Sequence, residues 1–237
     1  MSAHYVSPSA LTEFRKCPKC FWIDRNKKIK KPRGAFPTLP GGMDRVLKAY
    51  FDGHRAKQTL PPEIAHVMPI STILYPDIEK LKLMRNALRP LLACAIGNVK
   101  LVGGIDDLLV DAQGRVSVFD YKTKGNLIKD DKDPFEYYRM QMNDYGLLLE
   151  AGGFTLTGIA YLGYWSPDRV MSEDVYEGAP AGQRTPVDMA CQVFSMKIDT
   201  QAAIDEVVAA GKCLDGDLPP SAPSCETCQF IAARGSG

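Results

Sequence analysis

The sequence predicts a mixed α/β fold on three observations. Segments with helical spacing of apolar residues alternate along the 237 residues with runs of β-branched ones. One stretch, Gly103 to Thr123 (GGIDDLLVDAQGRVSVFDYKT), has the form of a β-hairpin with acids and a lysine set among valines and leucines. Finally, a Cys-x-x-Cys pair lies near each end, Cys17/Cys20 and Cys225/Cys228. Four such sulfurs on one metal would join the termini.

Taken in order, Ser7-Pro8 opens a helix, with serine as N-cap and proline in the first turn, running through Leu11 and Phe14 to about Cys17-Pro18. From Arg15 to Arg33 there are nine lysines and arginines against one acid, Asp24. That run reads either as a solvated face or as a strip tracking a phosphate backbone through Arg15, Lys16, Lys19, Lys27, Lys28, Lys30 and Lys31. Phe21 and Trp22 within it would stack on bases or anchor the segment to the core. Pro32 to Gly42 reads as a connection, and Met43 to Arg55 as a helix with Val46, Leu47, Tyr50 and Phe51 on its apolar side and Asp44 at the edge. Pro61 to Pro76 is loop-like, and Glu79 to Ala93 reads as a helix interrupted at Pro90.

The hairpin follows. Val102 to Val110 and Arg115 to Thr123 are its strands, and Asp111 to Gly114 its turn, with the glycine where a positive φ is wanted. By parity Val102, Asp106, Leu108 and Val110 share one face, as do Val116, Val118, Asp120 and Lys122. The opposite faces are also apolar, so both sides are expected to be covered. If Val110 pairs with Val116, Asp106 lies opposite Asp120. Two half-buried carboxylates that close repel unless a cation sits between them, and their hard oxygens suit Mg²⁺ or Mn²⁺. Lys122 would then polarise a water or stabilise charge beside the metal. The other reading is an edge hairpin with solvent-facing acids.

Beyond the hairpin, Pro134 to Ala151 is a helix with Tyr138, Gln141, Tyr145 and Leu148 on one face, ended by Gly152-Gly153. Phe154 to Trp165 is a strand, Ser166 to Asp188 a polar excursion, Cys191 to Ile198 a strand and Gln201 to Leu214 a last helix. The two Cys-x-x-Cys pairs are read as one Cys₄ centre for iron–sulfur or zinc, or else as reduced dithiols. Cys94, Cys191 and Cys213 are read as buried small apolar residues. The net charge of +1 does not by itself announce nucleic acid. No apolar run approaches the roughly 20 residues needed to span a bilayer, and no signal pattern opens the chain, so a cytoplasmic location is expected. There is no phosphate-binding GxxxxGK[ST] loop, and His4, His54 and His66 lack zinc-protease spacing.

These motifs, in this order, resemble the PD-(D/E)XK nuclease superfamily, in particular its RecB-like iron–sulfur nucleases, including those associated with CRISPR adaptation. The carriers are SPSALTEFRKCPKCFW, GGID ending at Asp106, DYKT from Asp120, QMNDY from Gln141 to Tyr145, and GDLPP followed by Cys225-x-x-Cys228-x-Phe230. The resemblance implies a restriction-endonuclease-like mixed β-sheet flanked by helices, with the termini joined by the four-cysteine cluster. It implies one nuclease domain over 1–237, with a cysteine-cluster subdomain from about 7–33 and 215–234. It implies a Mg²⁺- or Mn²⁺-dependent deoxyribonuclease, an exonuclease on single-stranded DNA or free ends, with CRISPR-adaptation or DNA-repair proteins as partners. Asp106, Asp120, Lys122, Gln141 and Tyr145 would be catalytic; Asp106, Asp120 and the Tyr121 carbonyl would bind the metal; Cys17, Cys20, Cys225 and Cys228 would hold a 4Fe-4S cluster or zinc. Two departures stand out. The family's histidine before the hairpin is missing, and Asp44 is the residue best placed to replace it. The cysteines divide two and two, not one and three, with Arg234 near the place of the last. The rival from another class is a non-catalytic nucleic-acid-binding module with a Cys₄ site and a degenerate nuclease site.

Overall fold

The computed structural model describes residues 4–32, 38–170 and 187–235. Strand β1 (His4–Val6) leads into α1 (Pro8–Lys16), capped as the sequence indicates: the Ser7 hydroxyl accepts from the Ala10 amide, and Pro8 sits in the first turn. Cys17 ends α1 and starts α2 (Pro18–Lys27), whose last turn closes on Lys28 in the left-handed region. Phe21 is fully buried against Phe14, so it anchors this segment to the core and is not open to a base. Trp22 is fixed by a hydrogen bond from its ring N–H to the Gly216 carbonyl.

Helix α3 (Thr38–Ala56) begins earlier than the sequence indicates, taking Thr38 to Gly42 out of the expected connection; Pro40 lies in its first turn, where a missing N–H costs nothing. Leu47 and Phe51 are buried, but Val46 is exposed. Helix α4 (Pro62–Ala65) and strand β2 (Ile73–Leu74) occupy what reads as loop. Helix α5 (Ile78–Arg85) is half as long as expected. Asn86 is extended and its side chain caps the following turn, so Leu92 to Ile96 becomes strand β3.

The expected single strand from Val102 is divided. β4 (Val99–Gly103) pairs with β1 and β3, whereas β5 (Asp107–Val110) pairs with β2 and β6 (Val116–Thr123). The break at 104–106 rests on α5: Ile105 N–H donates to the Met84 carbonyl at 3.1 Å, and a Cβ on Gly104 would lie 2.9 Å from the Arg85 carbonyl oxygen. Only glycine tolerates that approach. The hairpin register is the expected one, Val110 opposite Val116 through Asp107 opposite Phe119, and Gly114 takes φ +76° in its turn.

Helix α6 (Arg139–Ala151) starts five residues later than Pro134 and carries the chain to β7 (Leu156–Val170), parallel to β6. β8 (Val187–Lys197) returns antiparallel to β7, and α7 (Thr200–Asp215) and α8 (Glu226–Gly235) complete the chain. Most of the expected excursion, 171–186, lies outside the described residues. The result is a five-stranded mixed sheet in the order β2-β5-β6-β7-β8 beside a three-stranded sheet β1-β4-β3. As parity requires, the hairpin is covered on both sides. Leu108, Val116 and Val118 join the larger core under α6 and α7, while Leu109, Phe119 and Tyr121 pack with Leu47, Phe51 and Trp165. Burying each such side chain is worth about 1.5–3 kcal/mol. No helix among the described residues is long and apolar enough to cross a membrane.

Candidate active site and cysteine centre

Continuing the hairpin register by one residue sets Asp106 beside Asp120. Asp106 Oδ2 accepts from the Tyr121 amide at 3.3 Å, next in chain to Asp120. Asp120 is buried and Asp106 half-buried. Burial pushes the Asp120 carboxyl up to about 7; Lys122 opposes the shift and the Asp106 charge adds to it. The Lys122 ammonium is ion-paired with Asp120 Oδ2. Burial disfavours the Lys122 charge, but Asp120 and Asp106 outweigh that and hold its pKa up. Its ammonium also lies 4.6 Å from the centre of the Tyr138 ring. On α6, Gln141 donates to the Tyr145 hydroxyl at 2.6 Å. Burial first, then the Asp120 and Asp106 charges, raise the Tyr145 phenol well above its usual range, which places it in the field of the same acids.

Asp44 joins this group through a residue that the sequence did not single out. Lys48, one turn further along α3, reaches Asp44 at 2.8 Å and Asp106 at 2.9 Å. Its only sequence signal is the i,i+4 spacing from Asp44. The site thus collects three carboxylates and two ammonium groups from α3, the β4–β5 break and the end of β6.

Beneath it lies a second cluster that the sequence did not announce. Asp107, adjacent to Asp106 but on the opposite face, is fully buried. It accepts from Arg85 at 3.0 Å and is also bound by Arg55 and the Tyr121 hydroxyl. Asp52 closes the group, ion-paired with Arg55 and with Arg85 at 2.8 Å. Two guanidiniums against two carboxylates leave no net charge, the condition for burying so many ionised groups. Arg85 Nε donates to the Asp106 carbonyl at 2.7 Å, so the cluster fixes the backbone that presents Asp106. The Asp-Asp doublet, with alternate residues on opposite faces, is the one hint of it in the sequence.

The four cysteines meet. Cys17, in the α1–α2 junction, and Cys20 on α2 face Cys225 and Cys228 at the start of α8, with all four sulfurs within 4.8 Å of one another. Three of the sulfur–sulfur separations are 3.9 Å (Cys17–Cys228), 3.7 Å (Cys20–Cys225) and 3.5 Å (Cys20–Cys228). A tetrahedral ion with metal–sulfur bonds of about 2.3 Å has sulfur–sulfur edges of about 3.8 Å. Four thiols gathered this closely can hold a metal centre. The Cys17 thiol falls to about 6 despite burial, because the backbone N–H groups of Ala222 and Cys20 and the neighbouring thiols donate to it. A lowered thiol is a ready metal ligand. Cys94, Cys191 and Cys213 lie elsewhere and are half-buried, not buried.

The basic strip is partly spent on the protein. Arg15 pairs with Glu206 at 2.7 Å, Lys31 and Lys16 with Glu13 at 2.9 and 3.7 Å, and Arg25 with Asp24 at 3.4 Å. Lys27 stands 5.5 Å from the Trp22 ring centre. Lys27, Lys28 and Lys30 are exposed, Lys19 half-buried, and Arg33 is outside the described residues.

Among known proteins, the family model described as PD-(D/E)XK nuclease superfamily matches residues 37–233. No curated protein matches the sequence. A solved structure described as the crystal structure of SSO0001 is similar over 98% of this chain and 86% of that one, at 14% identity and a TM-score of 0.46.

Proposed function

Because the chain belongs to the PD-(D/E)XK nuclease superfamily, whose members are generally hydrolytic nucleases, we propose that it is a divalent-metal-dependent deoxyribonuclease acting on single strands or free DNA ends. The observation that carries this reading is the pairing of Asp106 with the buried Asp120 and Lys122 at the end of β6. A buried carboxylate beside a second one is a set of hard oxygen ligands for Mg²⁺ or Mn²⁺. Asp44, Asp106 and Asp120 hold the ion, with the Tyr121 carbonyl. Bound there, it supplies Lewis acidity toward a phosphoryl oxygen. Lys122 orients the attacking water and stabilises charge as it reacts. Gln141 and Tyr145, tied to each other on α6, support the site, Tyr145 from a buried position and Gln141 from a half-buried one from which it contacts substrate. The Asp107 cluster keeps Asp106 in place.

The cysteine centre in this reading is structural. It joins α1, α2 and α8 around one metal centre, a 4Fe-4S cluster by the ordered motifs or a zinc ion. Exonuclease action and partnership with CRISPR-adaptation or DNA-repair proteins rest on the ordered motifs alone. One observation favours the binding-module rival: Lys48 neutralises Asp44 and Asp106, as in a degenerate site. A panel of end-labelled single- and double-stranded DNA with Mg²⁺ or Mn²⁺, run with wild type and Asp120→Asn, separates the two. Metal-dependent cleavage lost in the variant supports the nuclease. Binding without cleavage by the wild type supports the module, and equal cleavage by both proteins refutes the assigned site.

A further inference from the structure

With every group ionised, three carboxylates and two ammonium groups leave the site one net negative charge. A divalent ion added to that arrangement would overshoot to a net positive charge in a half-buried place, which low effective dielectric makes costly. With Lys48 withdrawn, the ion, the three carboxylates and Lys122 balance. Lys48 is the residue able to withdraw. Its ammonium lies between Asp44 and Asp106, the two more open acids, with side chains 40% and 21% exposed, whereas Lys122 is held against the buried Asp120 and the Tyr138 ring. Its flexible four-carbon stem rises from α3 and is still 23% exposed, so its ammonium has a route to solvent that the buried Asp120 lacks. A lysine ammonium binds a phosphate oxygen as a point charge as readily as it binds a carboxylate.

We propose that Lys48 occupies the cation position between Asp44 and Asp106 in the metal-free protein and, when a divalent ion enters, moves to a phosphate of the nucleic acid, so that metal and nucleic acid bind cooperatively. The inference rests on the metal-site reading above and adds to it a positioning residue on α3. Each ligand removes the obstacle to the other: the ion frees the ammonium, and the phosphate gives it a new partner. By linkage the effect is reciprocal.

The test measures Mn²⁺ binding to the full chain by the electron-spin signal of free Mn²⁺, with no cleavage needed. Wild type, Lys48→Met, Lys48→Gln and Asp106→Asn are compared, with and without a phosphorothioate-linked single-stranded oligonucleotide, and thermal melts check folding. Without nucleic acid, both Lys48 variants should bind Mn²⁺ about tenfold more tightly than wild type, since a competing charge within a few ångströms is gone. The oligonucleotide should tighten Mn²⁺ binding about tenfold in wild type and less than about twofold in the Lys48 variants, a loss of coupling of about 1–1.4 kcal/mol. Unchanged or weaker Mn²⁺ binding by both folded Lys48 variants, with binding lost in Asp106→Asn, overturns the role of Lys48 and leaves the metal site standing. Wild-type Mn²⁺ binding in Asp106→Asn overturns the metal site and this inference with it.

Discussion

Replacing Asp144 by asparagine should stabilise the protein at alkaline pH and flatten its stability against pH. Asp144 lies on the inner side of α6, fully buried, and neither carboxylate oxygen has a hydrogen-bond partner. The charged groups facing it are Arg15 of α1 and Glu206 of α7, already paired with each other. Burial pushes the Asp144 carboxyl up to about 8; Glu206 adds to the shift and Arg15 opposes it. The unfolded chain titrates near 4, so between about pH 4 and 8 the folded state binds the extra proton. The stabilisation is complete below that window and is lost as pH rises through it. At about 1.4 kcal/mol per pH unit, the ceiling from pH 5 to 8 is about 4 kcal/mol. Local relaxation should leave about 2 kcal/mol, which for a chain of this size is about 4–8 °C of melting temperature. The assay is a set of thermal melts from pH 5 to 8 by circular dichroism. Wild type should lose that much more than Asp144→Asn across the range, and Glu206→Gln, whose own carboxyl is raised by burial, should flatten the curve further. Parallel curves for wild type and Asp144→Asn would refute the reasoning, because a group with no titration in the window cannot tilt the curve.

Asp120→Asn should keep the fold and lower metal-dependent cleavage by more than about 100-fold, since losing even an outer-sphere partner of a metal commonly costs 10–100-fold; steady-state rates with Mn²⁺ decide it. Removing one of the two repelling acids should bring no stabilisation, because Lys122 already compensates Asp120 and would lose its partner. Cys225→Ser should release the bound metal, measured by elemental analysis, and lower the melting temperature, since metal-binding energy at such a site is folding energy. Iron with sulfide in the wild type would identify an iron–sulfur cluster and one equivalent of zinc a structural zinc site, while no bound metal would refute both. Changing Lys27, Lys28 and Lys30 together to glutamine should weaken single-strand binding and reduce the slope of log affinity against log salt by about 0.7 for each phosphate no longer neutralised. Arg15→Gln should destabilise the fold through Glu206 before it affects that slope.

Local rules made a good part of the molecule legible in the sequence. Ser7 caps α1, Gly114 takes the positive φ of its turn, and period-two alternation set the β5–β6 register, hence the meeting of Asp106 with Asp120. The paired Cys-x-x-Cys motifs foretold a four-sulfur centre because each brings two sulfurs to one place. Each of these signals is carried within a few residues. What the sequence left unread depends on contacts between distant segments. Leu92 to Ile96 is a strand because β4 is there to pair with it, against a helical pattern running in from Glu79. Strand Val102 to Val110 is split because α5 presses on Gly104. Arg55, Arg85, Asp52, Asp107 and Tyr121 become one buried network only when α3, α5 and the hairpin pack together. Lys48 faces Asp106 for the same reason: the chain fixes its spacing from Asp44, but only the packing of α3 over β6 decides which carboxylate beyond its own helix it will meet.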